Sequence, residues 1–499
     1  MSSHGFLFIV GTFSFLGLGA AACSNRMFDE LPAEDDVDDG QGKGGEGGSG
    51  GGPAIGPACE KKSDCPTNDD EHCTTTCEEV DSEKRCVTVA VDADGDEHGT
   101  TECEEAPGDD CDDADAISYP GGPAVTAVGK ESCALLVGDV CGERGQTIVW
   151  NSEGTPVHAY ADRATGTYGS IVAYELDELG LPSGEAIQWA APSGLPITET
   201  AQIYLAPKDA PSAYGLLWAS TTGNAGYTDL RFSTVSTTAN STLSSVQINE
   251  ASVVGAYTGL LLSWLGSSWA TFSRFEYAGA DTSVSAGTAL SVSIPDAAQP
   301  AIYNAGHLNT AVVAGRRMIV GLNENYYNNP YFDPSLVIQL YSSATGASQL
   351  GSDVVLIDDA AASRIAPRVT IGTFNGKFLV FYRDDVTSLP LTARVLDTNG
   401  NTVGTEQTYD SEVLPLGILD LSDKGGVLIG SRVNGDKSDL VAQVFNAALA
   451  FVGEPVLLSD ALPAEPAAVS VQGAGLRGSV TYSAAGSRYR LFRLNSCAL

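Results

Sequence analysis

The stretch "LTARVLDTNGNTVGTE", beginning at Leu391, lies without a gap over "LVAQVFNAALAFVGEP", beginning at Leu440. "YRLFRLNSCAL" from Tyr489 continues the register, at an interval of 49 residues each time. Asp397, Asn446 and Asn495 therefore share one position, and the pairs Val403-Gly404 and Val452-Gly453 share another. An earlier "VAYELDELGLPSGEAI" (172–187) fits the same unit loosely. Within each copy, short β-rich runs such as "KFLVFYRD" and "GGVLIGSR" are bounded by Gly, Asn, Asp and Ser, and long amphipathic helical patterns are absent. Asn399-Gly400 is a strong hairpin signal. A period near 50 residues built of four short strands predicts β-propeller blades. Units placed by hand start near Thr147, Glu199, Val253, Gln299, Ala366, Val413 and Glu465, about seven blades with the middle ones weakly marked. Tandem β-sandwiches with similar strand spacing are the alternative. The last unit stops after its third strand, at Cys497. The strand-like "ESCALLVG" (131–138) ahead of the first unit is expected to supply the fourth, with Cys133 or Cys141 bonded to Cys497.

Charge divides the chain at about the same place. The net charge is −37, and residues 24–123 hold 29 acidic side chains against 6 basic ones. Such a chain repels phosphate backbones, so nucleic acid is excluded as a partner and cations are favoured. Residues 6–22 form an apolar run ending in "GAAAC", short for a membrane span and placed at the chain start. It resembles the lipobox of bacterial lipoproteins, which implies a signal peptide over 1–22, lipidation of Cys23 and a membrane anchor at the outer membrane or cell surface. The other reading is an ordinary secretory signal cleaved near Ala22, with Cys23 in a disulfide.

Residues 23–58 are acidic, then Gly-rich, and too poor in apolar side chains to repay their ordering entropy, so they read as a flexible tether. Setting Cys23 aside leaves ten cysteines, seven of them between Cys59 and Cys111, without the paired Cys-x-x-Cys spacing of a zinc site. Residues 59–123 are therefore expected to form a small disulfide-rich module, and residues 124–499 the repeat-containing β domain.

Within the module, Asp92, Asp94 and Asp96 alternate in "DADGD", a spacing that can turn three carboxylates toward one ion, with Gly95 easing the bend. A second group, Asp109, Asp110, Asp112 and Asp113, surrounds Cys111, and a Cys103–Cys111 bridge would join the two. The EF-hand pattern is absent, since Glu97 and Cys103 stand where that loop needs Gly and Glu. The unit resembles the MopE-type metal-binding repeat of secreted bacterial proteins. That family runs Asp-x-Asp-Gly-Asp-Gly-x-Gly, a cysteine, Gly-Asp-Cys-Asp-Asp and Pro-Gly. Here "DADGDEHG", Cys103 and "GDDCDDADAISYPGG" follow it over residues 92–121, with Glu97 at the family's second Gly and a shortened spacer before "GDDCDD". The resemblance implies metal binding. Although the family name is linked to copper, carboxylates favour hard cations, and only His98 offers a nitrogen, so calcium is the expected ion and copper the lesser one.

The β domain shows no catalytic motif. His158 and His307 are expected to be structural. The loop "NENYYNNPYFDP" (323–334), with Asn323, Tyr326, Tyr327 and Tyr331, has the aromatic and amide groups that suit a polysaccharide or protein partner. The expected function is a non-enzymatic, calcium-binding envelope lipoprotein presenting its propeller at the surface. The alternative is a secreted propeller hydrolase or lyase acting on extracellular polymer.

Overall fold

In a computed structural model of the chain, the described residues run from 53 to 498. Outside them lie 1–52, 112–117, 163–168, 222–226, 293–308, 324–334, 342–353, 358–367 and 384–389, and shorter stretches. The signal segment, Cys23, His307 and most of the tether thus fall outside the described residues. Among these residues every regular element is a strand except for short 3-10 turns, and no helix is long and apolar enough to cross a membrane.

A three-stranded sheet comes first. Cys73–Val80 and Glu83–Ala90 form a hairpin, and Ala54–Ala58 pairs with the second of them. Seven antiparallel sheets follow, opened by Gln146–Trp150, Tyr204–Pro207, Tyr257–Trp264, Asn309–Val313, Arg368–Phe374, Leu414–Asp420 and Ala467–Ala474. We number them sheets 1 to 7. Each has four strands in chain order, except that Ser241–Thr242 adds a fifth to sheet 1 and the fourth strand of sheet 7 comes from elsewhere. The unit starts expected near Thr147, Ala366, Val413 and Glu465 fall within two residues of these strands, whereas Gln299 misses the opening of sheet 4 by ten.

Alternating strands bury side chains on both sheet faces, so each core lies between two sheets. Val149, Trp189 and Trp218 lie between sheets 1 and 2, and Leu230, Phe232 and Trp269 between 2 and 3. Met318 and Phe378 pack between sheets 4 and 5, Phe381 and Phe445 between 5 and 6, and Val427 and Tyr482 between 6 and 7. Ile148, Leu176, Tyr489 and Leu491 then join sheet 7 to sheet 1. The opening strands of sheets 1 and 2, 2 and 3, 4 and 5, 5 and 6, and 6 and 7 pack side by side, and that of sheet 7 lies against that of sheet 1. Gly417 permits one of these approaches: a Cβ there would sit 2.4 Å from Val471 Cγ2. Gln472 Nε2, on sheet 7, donates to Tyr204 Oη, on sheet 2, at 2.9 Å, so opening strands of non-adjacent sheets meet.

The repeat position has a physical identity: it caps the turn after the third strand of a sheet. Asp397 Oδ1 accepts from the N–H groups of Asn399 and Asn401 at 2.7 and 2.9 Å, and its own N–H donates to Asn401 O at 2.9 Å. Asn446 does the same with Ala448 and Ala450, and Asp177 with Leu179 and Leu181. The fourth residue of each turn is left-handed: Gly180 (φ +78°), Gly400 (φ +82°) and Leu449 (φ +63°).

At Asn495 this turn is cut. Asn495 Oδ1 accepts from Cys497 N–H at 2.9 Å as its equivalents do, but its N–H donates to Ala124 O at 3.1 Å, a residue from the other end of the chain. The strand that follows is Val125–Cys133, paired antiparallel with Ser487–Leu494. The expectation that a segment ahead of sheet 1 completes the last unit identifies the right part of the chain but starts six residues late. Leu136–Val137 instead forms a small hairpin with Val140–Cys141, closed by Cys133–Cys141. That local bridge uses both cysteines expected to reach Cys497, and Cys497 pairs with Cys111, 386 residues away.

Candidate metal-binding and closure site

The module has little apolar mass, and its buried cluster is Cys73, Cys103 and Ala106 with Ala54 and Ala90 beside it. Covalent and polar links hold the rest. Cys59–Cys77 and Cys65–Cys86 clasp the hairpin, and Cys73–Cys103 ties it to the loop that follows. Asp70 stitches that loop down by accepting from His72 N–H at 3.0 Å and Glu104 N–H at 3.2 Å. These two bonds, His72 first, hold its carboxyl below the usual range. The expected Cys103–Cys111 bridge is therefore incorrect. Cys103 faces the hairpin and is fully buried, while Cys111 lies beyond a turn that points toward the C-terminus.

The two acidic groups are nevertheless brought together. Asp92 Oδ1 accepts from Gly95 N–H at 2.7 Å and Oδ2 from Glu97 N–H at 3.1 Å, which curls the first loop around one carboxylate. Glu97 takes the left-handed conformation (φ +73°), which costs strain in a residue other than glycine. The second loop meets the first through backbone bonds, Gly108 N–H to Thr100 O at 2.9 Å and Asp110 N–H to Gly99 O at 3.0 Å. A Cβ on Gly108 would lie 1.8 Å from Gly99 O, so only glycine allows this approach. His98 spans the junction, with Nδ1 2.9 Å from Asp109 Oδ1 and its ring stacked on Tyr119 at 4.8 Å. Asp110 is buried, Asp94 is half-buried, and Asp92 is exposed. Asp96, Asp112 and Asp113 lie outside the described residues.

Among the described residues, each group of three Cys, His, Asp or Glu side chains close enough to share an ion contains disulfide cysteines, as in Asp110, Cys111 and Cys497. Oxidised sulfur is not a thiolate donor, so these groups make no soft-metal site. The other donors are carboxylate oxygens on two abutting loops, and among the described residues no three of Asp92, Asp94, Asp109 and Asp110 lie close enough to share one ion.

The same segment reaches the cut turn. Cys497 Sγ lies 3.0 Å from Ser118 O, and Asn495 Nδ2 donates to Tyr119 O at 2.8 Å. Sequence reasoning missed the roles of Ser118 and Tyr119, although "SYPGG" within the motif places them directly before the closing strand.

Elsewhere, His158 is buried between sheets 1 and 7. Its Nε2–H donates to Gln146 Oε1 at 3.2 Å, and its ring packs 4.5 Å from that of Tyr489. Burial pushes its pKa down to about 3, so it stays neutral and serves as packing. Of the aromatic loop, Asn323 ends the strand Arg316–Asn323, and Tyr326, Tyr327 and Tyr331 lie outside the described residues.

No family model matches the chain, and no curated protein matches it. Among solved structures it is similar to a protein of unknown function from Dyadobacter fermentans, at 11% identity and a TM-score of 0.41, over 74% of this chain and all of that one. It is also similar to an ulvan lyase, a polysaccharide lyase, at 10% identity and a TM-score of 0.43, over 71% of this chain and 94% of the other. The α-L-arabinofuranosidase Arb93A from Fusarium graminearum matches at 10% identity and a TM-score of 0.35, over 65% and 99%.

Proposed function

We propose that the chain is a non-enzymatic, calcium-binding lipoprotein of the cell envelope, in which the acidic module closes and stiffens a seven-bladed β-propeller presented at the surface. The propeller reading is supported by seven successive four-stranded sheets, by cores joining sheets 1 to 3 and sheets 4 to 7, by sheet 7 packed on sheet 1, and by a last sheet completed by the strand Val125–Cys133. The anchor reading rests on "GAAAC" and Cys23. One observation carries the calcium reading: Asp92 and Asp94 on one loop and Asp109 and Asp110 on the next are carried by loops that hydrogen-bond directly to each other. Asp96, Asp112 and Asp113 would complete the oxygen set. The ion would offset repulsion among these carboxylates and fix the segment that delivers the closing strand. The outward role is binding of a protein or polysaccharide partner, or envelope structure. His158, the described histidine of the β domain, is committed to packing.

Thermal melting of the purified chain without its signal segment tests the metal. A calcium concentration about 100-fold above Kd should add ~2.7 kcal/mol relative to chelator, and Asp92→Asn should abolish most of the gain. An identical melt in chelator and in millimolar calcium contradicts the proposal.

A further inference from the structure

A cleft of about 200 Å³ opens between sheets 1 and 7, with Trp150, Leu176 and Leu491 on its apolar wall and Arg477, Arg493 and Glu178 among its lining residues. Glu178 bridges both arginines, its Oε1 3.5 Å from Arg477 and its Oε2 3.2 Å from Arg493. One carboxylate thus sits between two guanidinium groups, each facing a different oxygen.

The fold does not need Glu178 there. Its turn is held by Asp177, and the equivalent positions of the other turns carry Thr398, Ala447 and Ser496. Glu178 is also largely exposed, with 69% of its side chain accessible, so its ion pairs are weak and readily exchanged. Two of the chain's 26 basic residues thus converge beside an apolar wall, with a single exposed carboxylate between them. We propose that this cleft is a binding site for a small carboxylate with a flat or branched apolar body, and that Glu178 is the internal occupant such a ligand displaces. The guanidinium pair would take the carboxylate oxygens and the wall of Trp150 and Leu491 the apolar body.

Benzoate is a suitable probe, titrated calorimetrically into the exported chain at constant ionic strength, with benzyl alcohol as the uncharged control. The expected result is saturable benzoate binding. It should tighten about fivefold in Glu178→Gln, the equivalent of one exposed ion pair, and weaken at least tenfold in Arg493→Gln. Arg477→Gln, at a more exposed position, should weaken it too, which keeps the test valid if Arg493→Gln misfolds. The proposal is overturned if neither the parent nor Glu178→Gln binds benzoate, if both arginine variants bind it unchanged, or if benzyl alcohol binds equally well.

Discussion

The module and the seven sheets reach stability by opposite means. In the sheets, Trp189, Trp218, Trp269, Phe378 and Phe445 are fully buried between neighbours, and burial of such rings supplies the driving force. In the module the buried cluster is two half-cystines and an alanine, so disulfides and backbone bonds to Asp70 and Asp92 take over. The two regimes meet at Asn495, where a turn that is continuous at Asp397 and Asn446 is assembled from both ends of the chain. The region with least core therefore closes the region with most.

Perturbations should separate the two regimes. Trp218→Ala, in the core between sheets 1 and 2, should cost about 3–5 kcal/mol in denaturant unfolding and leave the calcium response unchanged. If it instead abolishes calcium binding, the regions are not separable. Replacing Cys111 and Cys497 by serine should cost about 2–4 kcal/mol, with earlier proteolysis around residues 118–133. A smaller loss than for Cys59 and Cys77, which close a short loop, would mean that the long bridge closes nothing.

The third perturbation sharpens the contrast inside the sheets. His158 titrates near 6.5 when unfolded but at about 3 when folded, so below pH 6.5 the unfolded state takes up a proton that the folded state refuses. Stability from this source is complete above pH 6.5 and is lost as pH falls toward 3. Between pH 7 and 4.5, the parent should lose about 2–3 kcal/mol more than His158→Gln does. Equal losses would place the histidine in contact with water.

Two smaller effects probe single turns. Asn446→Ala removes a cap like those at Asp177 and Asp397 and should cost about 1 kcal/mol by thermal melting. Glu97→Gly should stabilise by about 0.5–1 kcal/mol in calcium, because glycine takes φ +73° without strain. Destabilisation would mean that the Glu97 side chain contributes more than its backbone costs.

These turns also explain what could be read in the sequence. The 49-residue interval was visible because Asp397, Asn446 and Asn495 each make the same side-chain cap, which demands Asx at that point. Sheet 2 joins its third and fourth strands, Tyr227–Ser236 and Val246–Val254, by a longer connection and so left a weak mark. The acidic loops were legible because carboxylate spacing and Gly108 reflect local contacts. The disulfide partners were not, since Cys111 meets Cys497 only after seven sheets have been laid down. The cleft of Arg477, Arg493 and Glu178 draws on both ends of the repeat region. Its one sequence trace is a glutamate in a turn where the other copies carry threonine, alanine and serine.

Peptide mapping of the unreduced, purified chain tests most directly whether the acidic module closes the array of sheets. A cross-linked pair of peptides containing Cys111 and Cys497, lost on reduction, is the predicted result. A Cys103–Cys111 peptide, or Cys497 joined to Cys133 or Cys141, would contradict the account.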